Sequence, residues 1–228
     1  MPRPYHHIPI WDCGEPLVPI PECPELWQLV SPHPYQKLGA DYGDSSPFML
    51  RSGVINALIR AGEHLQQNHP HWRLLIVDAY RPLSVQKFMV EHSLGELLKE
   101  RGWTLAELSP MEVSKLQSEV HQFWAVPSDD PHTPPPHSTG SAIDLTLLTP
   151  DGIPADMGSP IDEISPRSHP DYFQDSHPEL HHHRQILAVA MLSAGWVQHP
   201  HEWWHFSYGD QMWAWLTGAA QAHYGRIC

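Results

Sequence analysis

The chain has 228 residues, of which 41% are hydrophobic, and it carries 13 Lys and Arg against 26 Asp and Glu, a formal net charge of −13. This size and apolar content suit one domain with a sizeable core. The negative charge argues against nucleic acid or an anionic membrane as a partner, because both require a basic surface. No stretch approaches the roughly 18 consecutive apolar residues that span a bilayer.

The N-terminal residues and the cysteines indicate the cellular compartment of the protein. Prolines interrupt residues 1–20 and leave no apolar run suited to a signal peptide. The three cysteines, Cys13, Cys23 and Cys228, are too few and too scattered for a disulfide framework. An odd number of thiols fits a reducing compartment. We therefore predict a cytoplasmic protein.

In chain order, the first half predicts an arm followed by a helix, a strand and a second helix. Residues 1–48 are rich in Pro, Tyr and Trp and predict an irregular arm packed on the core. Residues 48–69 repeat aliphatic side chains at helical spacing. Residues 72–77 form a short apolar run before a turn, which predicts a buried strand. Pro82 suits the first turn of a helix, and residues 84–101 are patterned as one.

The middle of the chain predicts a capped helix, a loop and a strand. Residues 104–107 resemble a capping box opening a helical stretch that is interrupted at Pro110 and resumes up to Trp124. A proline-rich loop, residues 127–136, follows. Residues 142–147 then alternate between apolar and polar side chains, which predicts a strand.

This strand is expected to have two different faces. Ile143 and Leu145 point to one face and Asp144 to the other, because side chains alternate along a strand. One face therefore packs on the core and the other presents a carboxylate. Residues 149–177 are rich in Pro, Gly and Asp and predict a loop.

The C-terminal part predicts a helix, a strand pair and a last helix. Residues 179–194 form the helix, with Gly195 at its C-terminal end. Residues 196–198 and 203–208 predict two strands joined by a turn, and residues 211–224 predict a terminal helix. This mixed order favours an α+β fold: a single domain over residues 1–228, with a largely antiparallel central sheet flanked by helices.

Two segments carry the groups that a zinc hydrolase needs: His and carboxylate ligands, a position left open for water, and a nearby base. His137 and Asp144 are an odd number of positions apart, so a continuous strand would put them on opposite faces. Gly140 lets the chain turn between them, so that both reach one point. Glu202 and His205 add a free carboxylate and a second imidazole.

These residues also carry a family resemblance. The pattern His-x-x-Gly-x-Ala-x-Asp at residues 137–144, followed by Glu-Trp-Trp-His at residues 202–205, resembles the D-alanyl-D-alanine dipeptidases of the vancomycin-resistance type. Asp-Ala-Tyr-Arg-Pro at residues 78–82 and Asp-Met-Gly-Ser-Pro-Ile-Asp at residues 156–162 are similar to that family too. Four motifs in the same order are hard to reconcile with chance.

The resemblance implies the metal ligands and the base. His137, Asp144 and His205 would bind Zn²⁺, one ion per chain, in a site at the sheet. Glu202 would take a proton from the attacking water and pass it to the leaving amine. A carboxylate in that position needs only a short proton relay.

The resemblance also implies two residues that contact the substrate. Arg81 would hold the scissile carbonyl as it becomes an oxyanion, where one such donor is typically worth roughly 10²–10³ in rate. Asp162 would pair with the free amino group of the substrate. One departure is visible, because Pro135 stands where such enzymes usually have a serine.

Residues 201–205 also spell His-Glu-x-x-His, the motif of helical zinc proteases. That motif requires a helix, on which positions i and i+4 share a face. Pro200 directly precedes it, and its aromatic residues favour a strand. In a strand, His201 and His205 would lie more than about 10 Å apart. We therefore interpret His201 as incidental.

The predicted activity is zinc-dependent hydrolysis of the small dipeptide D-Ala-D-Ala to two D-alanines; no oligomeric state is predicted. Two alternatives stay open. A D,D-carboxypeptidase of the same fold would trim longer peptidoglycan peptides through an open groove, whereas a dipeptidase closes the space beyond the substrate's amino end with a carboxylate. A non-catalytic Hedgehog-like zinc domain would have a blocked site or no base.

Overall fold

The computed structural model of the protein describes residues 3–227. The strands are β1 (Leu17–Pro19), β2 (Trp27–Leu29), β3 (Met49–Arg51), β4 (Arg73–Asp78), β5 (Ala142–Leu148), β6 (Val197–Gln198) and β7 (His205–Ser207). The α-helices are α1 (Pro34–Lys37), α2 (Ser52–Asn68), α3 (Leu83–Arg101), α4 (Pro110–Phe123), α5 (Pro178–Ser193) and α6 (Gln211–Thr217). Short 3-10 helices cover Leu105–Glu107, Pro136–Thr139 and Pro166–Ser168. Cys228 lies outside the described residues.

One five-stranded sheet, in the order β2-β4-β5-β7-β6, organises the molecule. β2 runs parallel to β4, and every other neighbouring pair is antiparallel. β1 and β3 form a separate antiparallel pair. The predicted α+β fold with a largely antiparallel sheet flanked by helices is confirmed.

The main core lies between one face of this sheet and the helices α2 and α5. Ile143 and Leu145 on β5 pack there with Leu58 of α2 and Leu187 of α5, all fully buried. The opposite face carries Asp144, as the alternation predicts. That face is also covered, however, because all seven residues of β5 are buried. Asp144 therefore lies in the interior of the protein.

The predicted irregular arm is wrong at three short segments, since β1, β2 and α1 all lie within residues 1–48. Trp27 shows why β2 forms: its side chain is buried in the main core while its backbone pairs with β4. A strand of three residues holds too little alternation to be recognised from its sequence. Its place is fixed by the partner strand.

Three other boundaries differ from the prediction. α2 begins at Ser52 and not at Phe48, because Met49–Arg51 pairs with β1. The last helix ends at Thr217, since Gly218 takes a left-handed conformation, with φ +73°, that stops it. The final predicted strand shortens to β7.

The capping box at Thr104 and Glu107 is present, but it opens only the 3-10 turn Leu105–Glu107. A second capping box, formed by Ser109 and Glu112, starts α4. Within residues 3–227, no helix combines the length and the hydropathy that crossing a bilayer demands.

Candidate active site

Three polar residues form a row across the sheet. Asp144 on β5 pairs in register with His205 on β7 and, on the other side, with Asp78 at the end of β4. Side chains that lie directly opposite each other on neighbouring strands point to the same face. Strand pairing alone therefore brings an imidazole against the Asp144 carboxylate.

The loop before β5 adds His137 to this row. Residues Pro136–Thr139 form a 3-10 turn that ends at Gly140, whose φ of +70° is a conformation that glycine adopts freely. Arg51 holds the turn, since its Nε donates to the Thr139 carbonyl (2.9 Å) and its backbone N–H to that of Gly140 (2.8 Å). The expected turn at Gly140 is confirmed.

The donor atoms of His137, Asp144 and His205 converge. His137 Nε2 lies 3.1 Å from His205 Nδ1 and 3.2 Å from Asp144 Oδ2, and His205 Nδ1 lies 3.0 Å from Asp144 Oδ1. Tetrahedral ligands about 2.0–2.2 Å from a zinc ion lie roughly 3.3 Å from one another. The three side chains, all buried, fit one such ion.

Hydrogen bonds on the far side of each imidazole support this assignment. His137 Nδ1 donates to the Ala79 carbonyl at 2.7 Å, so its Nε2 faces the cluster as a lone pair. Ser207 Oγ donates to Asp210 at 2.7 Å and can accept from His205 Nε2 at 3.4 Å, which leaves His205 Nδ1 as an acceptor. Two imidazole lone pairs facing a carboxylate form an acceptor-only cluster that suits a cation.

The pKa shifts of Asp144 and His205 also favour binding of a cation. Burial raises the pKa of Asp144, but the neighbouring His137 and His205 outweigh it and hold that pKa below its ordinary value. Burial lowers the pKa of His205, which favours the neutral imidazole that a metal needs. The directions of these two shifts favour an ionised Asp144 and a neutral His205, the forms that bind a divalent ion.

Glu202 lies at the edge of this cluster, in the turn between β6 and β7. The residue is 6% exposed, and its two carboxylate oxygens lie 3.5 Å from His199 Nδ1 and 3.9 Å from His205 Nδ1. Burial, and then the charges of Asp144 and Asp162, raise the pKa of Glu202 well above its usual range. A carboxylate with a raised pKa is a better proton acceptor.

Arg81 lies behind the Asp144 carboxylate. Its Nε and Nη2 donate to Asp78 Oδ2 at 2.9 and 2.7 Å, and Nη2 also reaches Tyr35 Oη (3.1 Å) and Asp144 (3.2 Å). Nη1 donates to Gln86 at 3.0 Å. A guanidinium has five N–H groups, so one N–H on Nη1 stays available for another acceptor.

Asp162 lies on the far side of Arg81. Its Oδ2 accepts a hydrogen bond of 2.7 Å from Tyr35, which itself accepts from Arg81. Burial, and then the charge of Asp144, raise the pKa of Asp162 to about 7. Its φ of +66° is rare for a residue other than glycine. Strained backbone of this kind is concentrated at functional sites.

One pocket brings the predicted residues together. All six residues singled out from the sequence line it: Arg81, His137, Asp144, Asp162, Glu202 and His205. His201 does not line it, and residues 201–205 form no helix, so the helical protease interpretation is wrong.

Sequence reasoning missed several residues of this site. Asp78, fully buried, accepts from Arg81, His33 and Tyr42 and fixes the guanidinium. Its position at the end of a buried strand, three residues before Arg81, was a usable signal. Tyr35 and Arg3, by contrast, lie in the N-terminal region, where no local pattern marks them.

Comparisons with known proteins agree with this site. Residues 28–224 match the Peptidase_M15 family model, described as D-ala-D-ala dipeptidase. A D-alanyl-D-alanine dipeptidase of Synechocystis sp. is 45% identical over 241 residues, covering 99% of this chain and 97% of that protein. The D-alanyl-D-alanine dipeptidase of Escherichia coli K12 is 43% identical over 70 residues, 31% of this chain and 36% of that one.

A solved structure of a mutant of the vancomycin resistance D,D-pentapeptidase VanY, in complex with Zn(II), is a more distant match. It is 14% identical, with a TM-score of 0.45, and covers 78% of this chain and 85% of that one.

Proposed function

The chain belongs to the Peptidase_M15 family, the D-Ala-D-Ala dipeptidases, and we propose that it hydrolyses D-Ala-D-Ala to two D-alanines with one zinc ion held by His137, Asp144 and His205. The observation that carries the proposal is the shared pocket. Three convergent metal ligands, a buried carboxylate with a raised pKa, and an arginine with a spare N–H all face one small space.

Zinc, when bound, supplies a Lewis acid that polarises a carbonyl and lowers the pKa of water from ~15.7 to ~7. The chain supplies everything else. The Asp210–Ser207–His205 and Ala79–His137 hydrogen bonds hold both imidazoles in the tautomers that face the cation. Groups fixed in this way need no reorganisation during the reaction.

Glu202 acts as the general base. Its carboxylate lies 3.9 Å from His205 at the edge of the cluster, where it takes the proton of the attacking water and then passes it to the departing amine. The spare N–H on Arg81 Nη1 donates to the carbonyl oxygen as negative charge develops on it. Asp78 holds Arg81 in place for that role through two hydrogen bonds.

Asp162 receives the free ammonium of the dipeptide. Its carboxylate is linked to Asp144 through only Tyr35 and Arg81, so it closes the pocket a short distance beyond the metal ligands. This closure supports a dipeptidase rather than a D,D-carboxypeptidase, which needs an open groove at that end. Glu202 and Arg81, present and facing the ligands, argue against a non-catalytic zinc domain.

The first experiment measures D-alanine released from D-Ala-D-Ala by the purified protein. We expect release that a chelator abolishes and zinc restores. The variant Glu202→Gln should keep its zinc and lose about 10²–10⁴-fold in turnover, the usual contribution of a general base. Absence of release from folded, zinc-loaded protein would refute the dipeptidase proposal, and substantial turnover by Glu202→Gln would refute the base.

A second substrate separates the dipeptidase from the carboxypeptidase. N-acetyl-D-Ala-D-Ala has no ammonium for Asp162 but is a fair mimic of a longer peptide. We expect the protein to cleave the free dipeptide at least about 10-fold faster, because a hydrogen-bonded charge pair is typically worth 1.5–3 kcal/mol. Equal rates on both substrates would favour the carboxypeptidase.

We place this reaction in the cytoplasm, with a small molecule as the partner. Cys13 and Cys23 are free thiols, as a reducing compartment would keep them. The net charge of −13 gives no basis for binding nucleic acid. Cell fractionation with an antibody to the protein tests this placement, and recovery in an exported fraction would overturn it.

A further inference from the structure

The dipeptide substrate is a zwitterion, and the assigned residues account for only one of its two charges. Asp162 complements the ammonium, and Arg81 serves the scissile carbonyl. Arg81 has already committed its donors to Asp78, Gln86, Tyr35 and Asp144 and keeps a single spare N–H. The C-terminal carboxylate of the substrate therefore needs a second cation.

The pocket lining contains one other guanidinium, that of Arg3. Within residues 3–227, this guanidinium donates to the His121 carbonyl in the last turn of α4, and no carboxylate pairs with it. A partly buried arginine without a carboxylate partner keeps most of its five donors for a ligand. Guanidinium groups match the geometry of a carboxylate and bind it with two parallel hydrogen bonds.

The fold holds Arg3 at the pocket. Tyr5 and Ile8, both buried, pack with Met212 and Ala214 of α6 in a small separate core. Gln211 Nε2 donates to the Ile8 carbonyl at 2.7 Å, and a bridge joins Ile10 to Ala222. The N-terminal region is therefore anchored directly after Arg3, by contacts of Tyr5, Ile8 and Ile10.

Arg3 shares its pocket with the proposed base. Arg3 and Glu202 both line this pocket, together with the three proposed metal ligands. Asp162 accepts a hydrogen bond from Tyr35, which in turn accepts one from Arg81. A dipeptide with its ammonium at Asp162 and its peptide bond at the metal ligands then presents its carboxylate to the remaining guanidinium of the lining, that of Arg3.

We infer that Arg3 binds the C-terminal carboxylate of the substrate and makes the enzyme specific for a free carboxyl end. This inference rests on the proposed function. Arg3 is a specificity-determining residue that touches substrate, and it lies outside every motif that the sequence analysis singled out.

The experiment compares two substrates and three variants. D-Ala-D-Ala and its C-terminal amide differ in the carboxylate charge that Arg3 would bind. We expect the wild-type protein to prefer the free acid, and Arg3→Gln to lose about 10–100-fold in kcat/KM on the acid, mainly through KM. Arg3→Gln should leave kcat/KM on the amide unchanged, and Arg3→Lys should recover part of the loss on the acid.

The matched control is Arg101→Gln, which removes a guanidinium that pairs with Glu119 on the surface, away from the pocket. It should behave as wild type on both substrates. Zinc content and the thermal unfolding midpoint are measured for every variant. If Arg3 serves only to tie the N-terminal region to α4, Arg3→Gln will reduce activity equally on acid and amide, which overturns the inference.

The two proposals fail in distinguishable ways. A wild-type protein that cleaves neither the acid nor the amide when loaded with zinc overturns the proposed function, and the role of Arg3 with it. A wild-type protein that cleaves the acid, with an acid preference that survives in Arg3→Gln, leaves the proposed function standing and overturns the role of Arg3 alone.

Discussion

The proposed metal ligands and the proposed substrate-binding residues of this pocket are held in different ways. Asp144 and His205 lie on adjacent, paired strands, and His137 follows from a glycine turn directly before one of them. Asp162 lies in a loop, and Arg3 in the N-terminal region. The metal centre is therefore fixed by sheet register, whereas the substrate contacts depend on segments that pack against the sheet from elsewhere in the chain.

This difference indicates which part of the function tolerates change. A shift of one residue in strand register would turn Asp144 or His205 to the opposite face of the sheet. The three ligands would then no longer converge, so a change in register would abolish metal binding altogether. Loops and terminal regions accept substitution more readily. We expect relatives of this protein to differ in substrate preference through the loop and the N-terminal region, with the metal centre unchanged.

The largest effect is expected at the metal centre. His137→Ala should lose zinc and reduce D-alanine release to the background without enzyme, because the remaining two ligands leave the ion weakly held. The matched control is His201→Ala, an exposed histidine four residues before His205 that should keep both metal and activity. Metal analysis and release assays check both variants, and loss of zinc from His201→Ala would contradict the strand-based site.

A smaller effect is expected from the loop. Asp162→Asn should lose about 10–100-fold in kcat/KM on D-Ala-D-Ala, because it removes the charge that pairs with the ammonium. Zinc content should stay at the level of the wild-type protein. If Asp162→Asn lost zinc in the same proportion as activity, the loop and the metal centre would not be independent. That result would contradict the distinction between metal ligands fixed by the sheet and substrate contacts fixed by loops.

The same substitution has a pH-dependent consequence for stability. The folded-state pKa of Asp162, about 7, lies above its ordinary value of 3.8, so its contribution to stability is fully present below about pH 4 and is lost as the pH rises through 7. In metal-free protein, Asp162→Asn should therefore raise the free energy of unfolding at about pH 8, on the order of 1–3 kcal/mol, and leave it unchanged near pH 4. Urea unfolding at both pH values measures this, and a gain of equal size at both would contradict the titration.

The smallest effect is expected at the turn that carries His137. Gly140→Ala should lower the free energy of unfolding by about 1–3 kcal/mol, because a non-glycine residue is strained at φ +70° and its Cβ would lie 2.6 Å from Leu17 Cδ1. Gly102 offers the control: its φ is +66°, and a Cβ there meets nothing within 4 Å.

Gly102→Ala should therefore incur the backbone strain alone and show the smaller loss, without effect on zinc affinity. Urea unfolding and zinc titration of both variants measure the difference. If Gly140→Ala and Gly102→Ala lost the same free energy of unfolding, the Leu17 side chain would have moved away from the new Cβ without a loss of stability.

The sequence by itself determined the central elements and the residues of the proposed metal centre. The alternation around Asp144, the glycine between it and His137, and the motif at Glu202 are local patterns, so short-range reasoning recovers them. The same holds for the long helices, whose apolar spacing repeats over several turns. Strand β2 escaped detection, because three residues cannot express a period.

The tertiary structure alone decided how the pocket is completed. Asp78 acts through a β4–β5 register that no single segment encodes, and Tyr35 joins Asp162 to Arg81 across long sequence separations. Arg3 reaches the pocket because Tyr5 and Ile8 pack on α6 near the other end of the chain. Local sequence sets which backbone conformations are favoured, whereas these contacts depend on which distant apolar surfaces bury one another, and only the folded chain specifies that.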